Sequence, residues 1–422
     1  MAEETKIYAL VDYEDAYVQP LLLSALKARI PADLLVFITS QTQLPSPDSR
    51  FLQWRQYESI DFDHLFLNSY TSLANSYVIR KALIRKHYLS TTVSHWMAKH
   101  PQSDLKGHVK PSVDFEVDYA EFLDDALVEA WDLKASWARS EESGEKEWWI
   151  LKPGMSDRGQ GIRLFSSETE LQEIFEGWDS DDSDDEEDDV DAKKEDDETK
   201  PDGNNIMTSH LRHFTAQPYI HPPFLLDPPH PAAGRKFHIR TYVLAVGALQ
   251  LYIYKPMLAL FAAETYVPPT STSDPNADLG KHLTNTCLQS GEREGSVEAF
   301  WSLPQSLDKD SIFAQISKTT ASVFEAASRS MSIHFQPLPN AFEVFGIDFL
   351  VDASGTAWLL EVNSFPDFAQ TGVELQGLVK GLIEGVVDVA VGGFFDLGKA
   401  EREGSSTERE MVKVLDIDLG RR

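Results

Sequence analysis

The sequence predicts a mixed α and β protein that begins with a small α/β domain, and three observations carry that prediction. The chain opens on a short apolar strand, Lys6 to Val11, followed by a helix through Leu21 to Ala28 and a second strand-like run from Leu34 to Ile38, which is a βα beginning. Further on, Arg235 to Leu244 alternates between apolar and charged positions, while two apolar runs, Phe345 to Val351 and Trp358 to Val362, flank Asp352-Ala353-Ser354-Gly355. That spacer is turn chemistry, so the pair reads as an antiparallel hairpin. Asp310 to Met331 and Gly377 to Phe395 carry helical periodicity.

At 422 residues, 42% hydrophobic and 11% aromatic, the chain is long enough for two or three domains with a full core. Its single cysteine, Cys287, allows no intrachain disulfide, and the N-terminus opens on acidic and polar residues, so a cytoplasmic address is expected. No apolar run is long enough to span a bilayer. Even Gly377 to Phe395 carries Lys380, Glu384 and Asp388 at helical spacing, and is expected as a surface helix with an i,i+4 ion pair. With 38 basic against 68 acidic residues, the chain is poorly suited to nucleic acid or to an anionic membrane. Fifteen Asp or Glu and three Lys between Asp179 and Asp202 supply 12 of the 30 net negative charges. With almost nothing apolar to bury there, residues 179–205 or so are expected as a disordered insertion.

Taken in order, Leu73 to Tyr88 suggests one helix with a basic face of Arg80, Lys81 and Arg85, which a solvated surface would explain equally. The pattern weakens between Lys99 and Pro111, and a helix is expected from Tyr119 to Ala135. Trp148 to Leu151 then delivers Lys152 from a buried strand into a loop holding Gly154, Ser156, Gly159 and Gly161. Glycines let the backbone approach an anion, and a lysine adds a compact positive charge. The Walker order of Gly-Lys-Ser/Thr is absent, and a plain surface hairpin fits as well. In the alternating strand Phe237, Ile239, Thr241 and Val243 share one face, leaving Lys236, His238 and Arg240 on the other. That cationic stripe suits phosphate or carboxylate, with solvated edge charges as the alternative. The tail from Ala400 is polar and expected to fray in part.

In the hairpin, a turn near Ser354-Gly355 sets Asp348 opposite Glu361 and puts Glu361 and Asn363 on one face. Three oxygen donors suit Mg²⁺, which keeps waters and bridges phosphates, better than they suit zinc. Either acid alone could simply face solvent. Opposed carboxylates, however, repel unless a cation, a proton or a basic partner lies between them.

The ordered motifs Leu151-Lys152-Pro153 with its glycine loop, Gln217-x-Tyr219-Ile220, Arg235-Lys236-Phe237-x-Ile239-Arg240, His282-Leu283-Thr284-Asn285, Phe345-Gly346-x-Asp348 and Leu360-Glu361-Val362-Asn363 resemble the tubulin-tyrosine ligase family of ATP-grasp enzymes. They span roughly residues 148 to 370, and Arg80-Lys81 after Leu67-Asn68 resembles the family's N-terminal domain. The resemblance implies an α+β ATP-grasp fold, two α+β lobes clamping ATP behind a small N-terminal α/β domain. The expected divisions are 1–110, 111–225 with the acidic insertion, 226–400 with the hairpin, and a polar tail over 401–422.

By the same resemblance Lys152, with Ser156 and Gly159 of its loop, would touch ATP phosphates. Gln217, Tyr219 and Ile220 would contact the adenine side, and Lys236 and Arg240 would lie along the nucleotide and acceptor. Asn285 would sit beside the reacting centre, Lys81 would add a basic contact, and Asp348, Glu361 and Asn363 would hold Mg²⁺. The implied reaction adds a free amino acid, tyrosine first, to the C-terminal carboxylate of a protein such as α-tubulin, through an acylphosphate. A monomer is expected, needing neither nucleic acid nor membrane. Glutamate- or glycine-adding relatives and a nucleotide-binding pseudoenzyme are the other readings the family offers. Two departures bear on the substrate. His238 stands where the family motif Lys-Phe-Asp-Ile/Leu-Arg carries an acid, and Leu260 stands near the place of an arginine in tyrosine-adding members. The first reverses the polarity of one contact and the second removes a carboxylate clamp.

Overall fold

Four parallel strands open the chain: β1 (Ile7–Asp12), β2 (Leu35–Ile38), β3 (Arg50–Arg55) and β4 (Ser72–Ala74), in the order β2-β1-β3-β4. Parallel neighbours need crossovers, and α1 (Val18–Arg29) provides the first. Its buried Val18, Leu22, Ala25 and Leu26 recur at helical spacing and form the stripe turned inward. The computed structural model describes residues 6–154, 161–184, 212–270, 279–284, 296–368, 375–398 and 410–420.

The single helix expected over Leu73 to Tyr88 is broken. A short turn, Lys81–Ile84, ends at Arg85 in extended conformation, and α2 (Lys86–Lys99) starts there afresh. The break matters because it re-aims the basic residues on either side of it. Tyr77, Ala82, Leu83, Leu89 and Val93 are buried together with the large sheet described below.

A second, antiparallel sheet follows: β5 (Val113–Glu116), β6 (Trp149–Pro153), β7 (Arg163–Phe165) and β8 (His213–Pro218), in the order β5-β8-β6-β7. Its core gathers Trp149, Leu151, Phe165, Phe175, Trp178 and Phe214. The helix expected from Tyr119 to Ala135 is also interrupted, by a 3₁₀ turn at Ala120–Phe122 and a turn at Leu123–Ala126, before α3 (Trp131–Ser143) ends on left-handed Gly144. Next comes α4 (Glu168–Asp184), which runs into the stretch expected to be disordered. Asp179 accepts a hydrogen bond from the Ala120 N–H at 2.6 Å, so this first part of the acidic run is anchored. The rest of that expectation falls on residues 185–211, outside the described residues.

The large sheet is built on one long strand, β9 (Arg235–Val246). Along one side it pairs with β13 (Phe342–Val351), and along the other first with β11 (Leu258–Thr265) and then with β10 (Gln250–Tyr254). The edges are β12 (Val297–Ala299) on β11, β14 (Ala357–Ser364) on β13 and β15 (Met411–Asp416) on β10. Thus the stretch expected as a polar tail contributes a sheet strand. Met411 is buried there, and the exposed Lys413 pairs with Asp416 at 2.9 Å.

Two helices close the sheet. Asp308 caps α5 (Lys309–Ser330) by accepting from the Ser311 N–H at 3.0 Å, and Ile312, Ile316, Val323, Phe324 and Ala327 form its buried stripe. The last, α6 (Gln376–Val386), shows the expected Lys380–Glu384 pair at 3.8 Å. Asp388, expected on that same exposed row, is instead buried. A π turn at Val387–Val391 rotates it toward Arg29 of α1, whose Nε donates to its Oδ1 at 2.8 Å. This ion pair ties the first sheet to the last helix. Among the described residues no helix is long and apolar enough to cross a membrane.

The close approach of α6 to β10 gives a stability prediction. A Cβ on Gly381 would lie 2.4 Å from the hydroxyl of Tyr254, a ring only 2% exposed that has little room to move. Gly381→Ala should therefore lower the melting temperature despite a helix-propensity gain of about 1 kcal/mol, because overpacking costs about 1–3 kcal/mol. An unchanged or higher melting temperature in calorimetry would show that Tyr254 can move aside.

Candidate active site

One row of side chains crosses three strands. Arg240 of β9 pairs in register with Asp348 of β13, and Asp348 pairs with Glu361 of β14. The guanidinium grips the carboxylate with both prongs, Nε donating to Oδ1 at 2.5 Å and an Nη to Oδ2 at 2.9 Å. A register irregularity follows Asp348 on β13, and such bulges re-aim side chains. Gly346 makes space for the grip, since a Cβ there would meet Pro366 at 3.0 Å and the Arg240 side chain at 3.4 Å. Burial and the Asp348 charge act on Arg240 in opposite senses, and Asp348 prevails, holding the guanidinium above its usual value.

Glu361 meets one further cation and one amide. Lys86, at the start of α2, brings its Nζ 4.0 Å from the carboxylate, and Asn363 donates its amide N–H to it at 3.1 Å. Burial alone would raise this carboxyl, but Lys86, Lys152, Asn363 and Arg240 together hold it down at about 2. The repulsion between opposed acids is thus relieved by basic side chains of the protein itself. The donor set still fits a hard divalent cation: Asp348, Glu361 and Asn363 carry oxygen donors on one hairpin, and Glu361 is ionised.

Lys152 ends β6 with its Nζ donating to Gln217 Oε1 at 2.9 Å, and Lys236 donates to the Tyr219 hydroxyl at 2.8 Å while lying 4.1 Å from that ring's centroid. Tyr219 is 3.0 Å from His282 Nδ1. Both lysines are buried. Burial pushes Lys152 down to about 8, assisted by Lys86 and opposed by Glu361 and Asp348. Burial and the nearby Lys152 push Lys236 to about 7. Between Lys236 and Arg240 on the same face stands His238, its Nδ1 2.6 Å from Thr284 Oγ1. Burial lowers its pKa, with Asp348 acting against that shift.

These groups line a cleft between the second sheet and the large one that encloses about 770 Å³ of empty space, part of it open to solvent. Lys152, Gln217, Tyr219, Ile220, Lys236, Asp348 and Glu361 all line it, as the sequence motifs anticipate. Arg240 and Asn363 adjoin it through Asp348 and Glu361. Lys81 is exposed and is not among the lining residues; the break at Arg85 gives its expected place to Lys86. Ser156, Gly159 and Asn285 lie outside the described residues. Sequence reasoning missed His282 and Thr284 as cleft residues, since that stretch has no periodicity, although their motif was visible. Leu260, beside His238 in register, is buried in an apolar cluster with Leu258 and Tyr242, so no cation stands at that position.

A polyanion entering this cleft should draw protons with it. Lys236, near 7 in the free protein, is mostly neutral at pH 8, and opposite charge raises a lysine pKa. Binding of a nucleoside triphosphate at pH 8 should therefore take up a proton, whereas at about pH 6 the uptake should vanish because the ammonium is already formed. Calorimetry in buffers of different ionisation heat measures this. Equal proton numbers at both pH values would remove Lys236 from the binding surface.

The family model described as the tubulin-tyrosine ligase family matches residues 66–397. In sequence the chain is 45% identical over 418 residues to a probable tubulin–tyrosine ligase of Schizosaccharomyces pombe, covering 98% of this chain and 96% of that protein. It is 41% identical over 419 residues to the probable tubulin–tyrosine ligase PBY1 of Saccharomyces cerevisiae, covering 95% of this chain and 54% of that one. In structure it resembles the C-terminal domain of Pby1 from K. lactis, described as an ATP-grasp enzyme interacting with the mRNA decapping enzyme Dcp2. That match has a TM-score of 0.70 and 37% identity, and covers 98% of this chain and 99% of the other. The α+β fold is therefore that of the ATP-grasp enzymes, and the chain belongs to the tubulin-tyrosine ligase family.

Proposed function

We propose that the cleft binds ATP and joins the amino group of a free amino acid to a carboxylate on a protein, tyrosine and the α-tubulin C-terminus being the first pair to test. One observation carries this reading. Lys152 and Lys236 are buried in one cleft with neutral hydrogen-bond partners, Gln217 and Tyr219, and the charges of Glu361 and Asp348 only partly offset the burial of Lys152. Burying ammonium groups in that way is costly unless an anion joins them, and a polyphosphate is the anion that spans both. Ile150, Ile220, Leu350 and Leu359 offer apolar surface for a purine ring in the same space.

Carboxylate and amine do not condense in water, so the carboxylate must first be activated. In the proposed sequence an acceptor carboxylate oxygen attacks the terminal phosphorus, the bond to the leaving diphosphate breaks, and an acylphosphate forms. The amine then attacks the acyl carbon, phosphate leaves, and the amine proton passes to solvent. Lys152 and Lys86 place positive charge where the transferring group becomes more negative, and Arg240 fixes Asp348 in one orientation. Mg²⁺, held by Asp348, Glu361 and Asn363, would supply further neutralisation of phosphate charge. The two sheets keep water from the activated acyl group.

A second reading keeps this chemistry and changes the amino acid or the acceptor. Leu260 is buried among apolar side chains, so it offers no carboxylate clamp of the kind a tyrosine donor is expected to use. The similar K. lactis domain is described by its interaction with a decapping enzyme, which makes a non-tubulin protein partner the alternative.

Incubating the protein with ATP, Mg²⁺, each labelled amino acid in turn, and either tubulin or cell extract tests both readings. Incorporation of one amino acid, dependent on ATP, is the expected result. Nucleotide binding without incorporation of any amino acid would instead make the chain a nucleotide-binding interaction module.

Glu361→Gln is expected to reduce ligation about 100-fold or more, since it leaves Lys86 and Lys152 without the charge of that carboxylate and turns one anionic metal donor into a neutral one. The folded carboxyl sits near 2, below the usual 4.5, so it stabilises the fold above about pH 4.5 and loses that effect as pH falls toward 2. The melting-temperature gap between wild type and variant should therefore be wider at pH 7 than at pH 3. Full turnover at limiting Mg²⁺ would overturn the assignment.

A further inference from the structure

We propose that His238 is a specificity-determining residue of the nucleotide cleft, donating a hydrogen bond from Nε2 to an oxygen of the bound nucleotide's ribose or phosphate chain. The proposal rests on the reading of this cleft as an ATP site. His238 is 3% exposed, lines the cleft, and projects from the same face of β9 as Lys236 and Arg240, midway between them. Its Nδ1 is occupied by Thr284 Oγ1 at 2.6 Å, whereas its Nε2 has no hydrogen-bond partner among the described residues.

The tautomer follows from what each nitrogen faces. Nε2 points toward Asp348, 3.6 Å from Oδ1. A lone pair aimed at a carboxylate is repelled and an N–H is attracted, so the proton belongs on Nε2 and the Thr284 hydroxyl donates to Nδ1. Both oxygens of Asp348 are already engaged by Arg240, and 3.6 Å is too long for a hydrogen bond. The result is a buried, oriented donor with no hydrogen-bond partner among the described residues. Buried donors are rarely left so, and a missing partner at a cleft wall is a place for a ligand atom.

The neighbours define the chemistry of that atom. Lys236 marks the Tyr219 and Ile220 end of the cleft, and Arg240 with Asp348 marks the carboxylate end. A donor between them meets the middle of a nucleotide, where every exposed heteroatom is an oxygen. This chain should therefore keep affinity for an acceptor oxygen and lose it when that oxygen is removed.

The experiment uses the full chain and isothermal titration with ATP, ADP, adenosine, 2′-deoxy-ATP and 3′-deoxy-ATP. His238→Gln, whose amide nitrogen stands where Nε2 stands, should bind ATP within about threefold of wild type. His238→Asn, which mimics Nδ1 instead, and His238→Asp should each weaken it by about tenfold or more. For the nucleotide that lacks the accepted oxygen, wild type and His238→Asn should bind equally: a deoxy analogue if the partner is a ribose hydroxyl, adenosine if it is phosphate. Equal weakening of every ligand, adenosine and both deoxy analogues included, would mean a packing role and overturn the proposal, as would unchanged ATP binding by His238→Asp. Should the variants not fold, ¹⁵N-histidine spectra of the wild type decide. An Nε2–H tautomer whose Nε2 signal moves on ATP binding supports the proposal, and an Nδ1–H tautomer overturns it. If wild type binds no ATP at all, the reading of the cleft fails first, which is a separate result.

Discussion

The grip of Arg240 on Asp348 is the constraint from which the rest of the site follows. It joins β9 to β13 at one register position, so the two strands cannot slip without stranding both charges. A one-residue slip would also turn every side chain of β9 to the opposite face. Asp348 in turn fixes where Glu361 stands, and Glu361 fixes what Lys86 and Lys152 can approach. The two adjacent acids are each met by a cation, Asp348 by Arg240 and Glu361 by Lys86, which is how these ionised groups share one place.

β9 sets two environments with one alternation. Phe237, Ile239 and Val243 enter the core against α5, while Lys236, His238 and Arg240 face the cleft. Farther along that second face Tyr242 and Leu244 turn apolar and pack with α1 and α6, so the N-terminal sheet is seated on the same strand that carries the site. The buried pair of Arg80 and Glu343, at 2.9 Å, lies at that seat, with Arg80 also 3.9 Å from the ring of Tyr57. Burial raises Glu343 to about 7 even though Arg80 opposes the shift, which marks this junction as a place of high desolvation.

Much of this was legible in the sequence where periodicity was strict. The faces of β9, the hairpin and the opposition of Asp348 to Glu361 follow from a period of two and one turn. The ATP-grasp assignment came from ordered motifs and is matched in sequence and structure. What escaped were breaks within apparent helices, because a composition window continues smoothly across Arg85 and across Val387–Val391 while the backbone does not. Those two breaks decide that Lys86 rather than Lys81 reaches the site, and that Asp388 meets Arg29 rather than water. The strand β15 escaped for a related reason. Met411–Asp416 is largely apolar, but so short a run inside a polar stretch is hard to read as a strand when its partner β10 is far away in sequence. The cations that α2 and β6 bring to Glu361 are not visible from a hairpin read alone.

The chain as a whole is strongly acidic, with a net charge of −30, yet its cleft is cationic. These facts are compatible because the two fields act over different ranges. Surface carboxylates are screened by salt within roughly 8–10 Å, whereas the buried Lys152 and Lys236 act at short range inside the cleft, where attraction to an anion is screened less. Long-range steering therefore does little to bring an anionic ligand to this protein, and the selection happens at contact. Under the proposed function a nucleotide brings negative charge to the buried lysines and an apolar ring to Ile150 and Leu350. Either feature alone leaves part of the cleft unsatisfied, so the arrangement discriminates by the combination, as a nucleotide site needs to in a cell full of simpler anions.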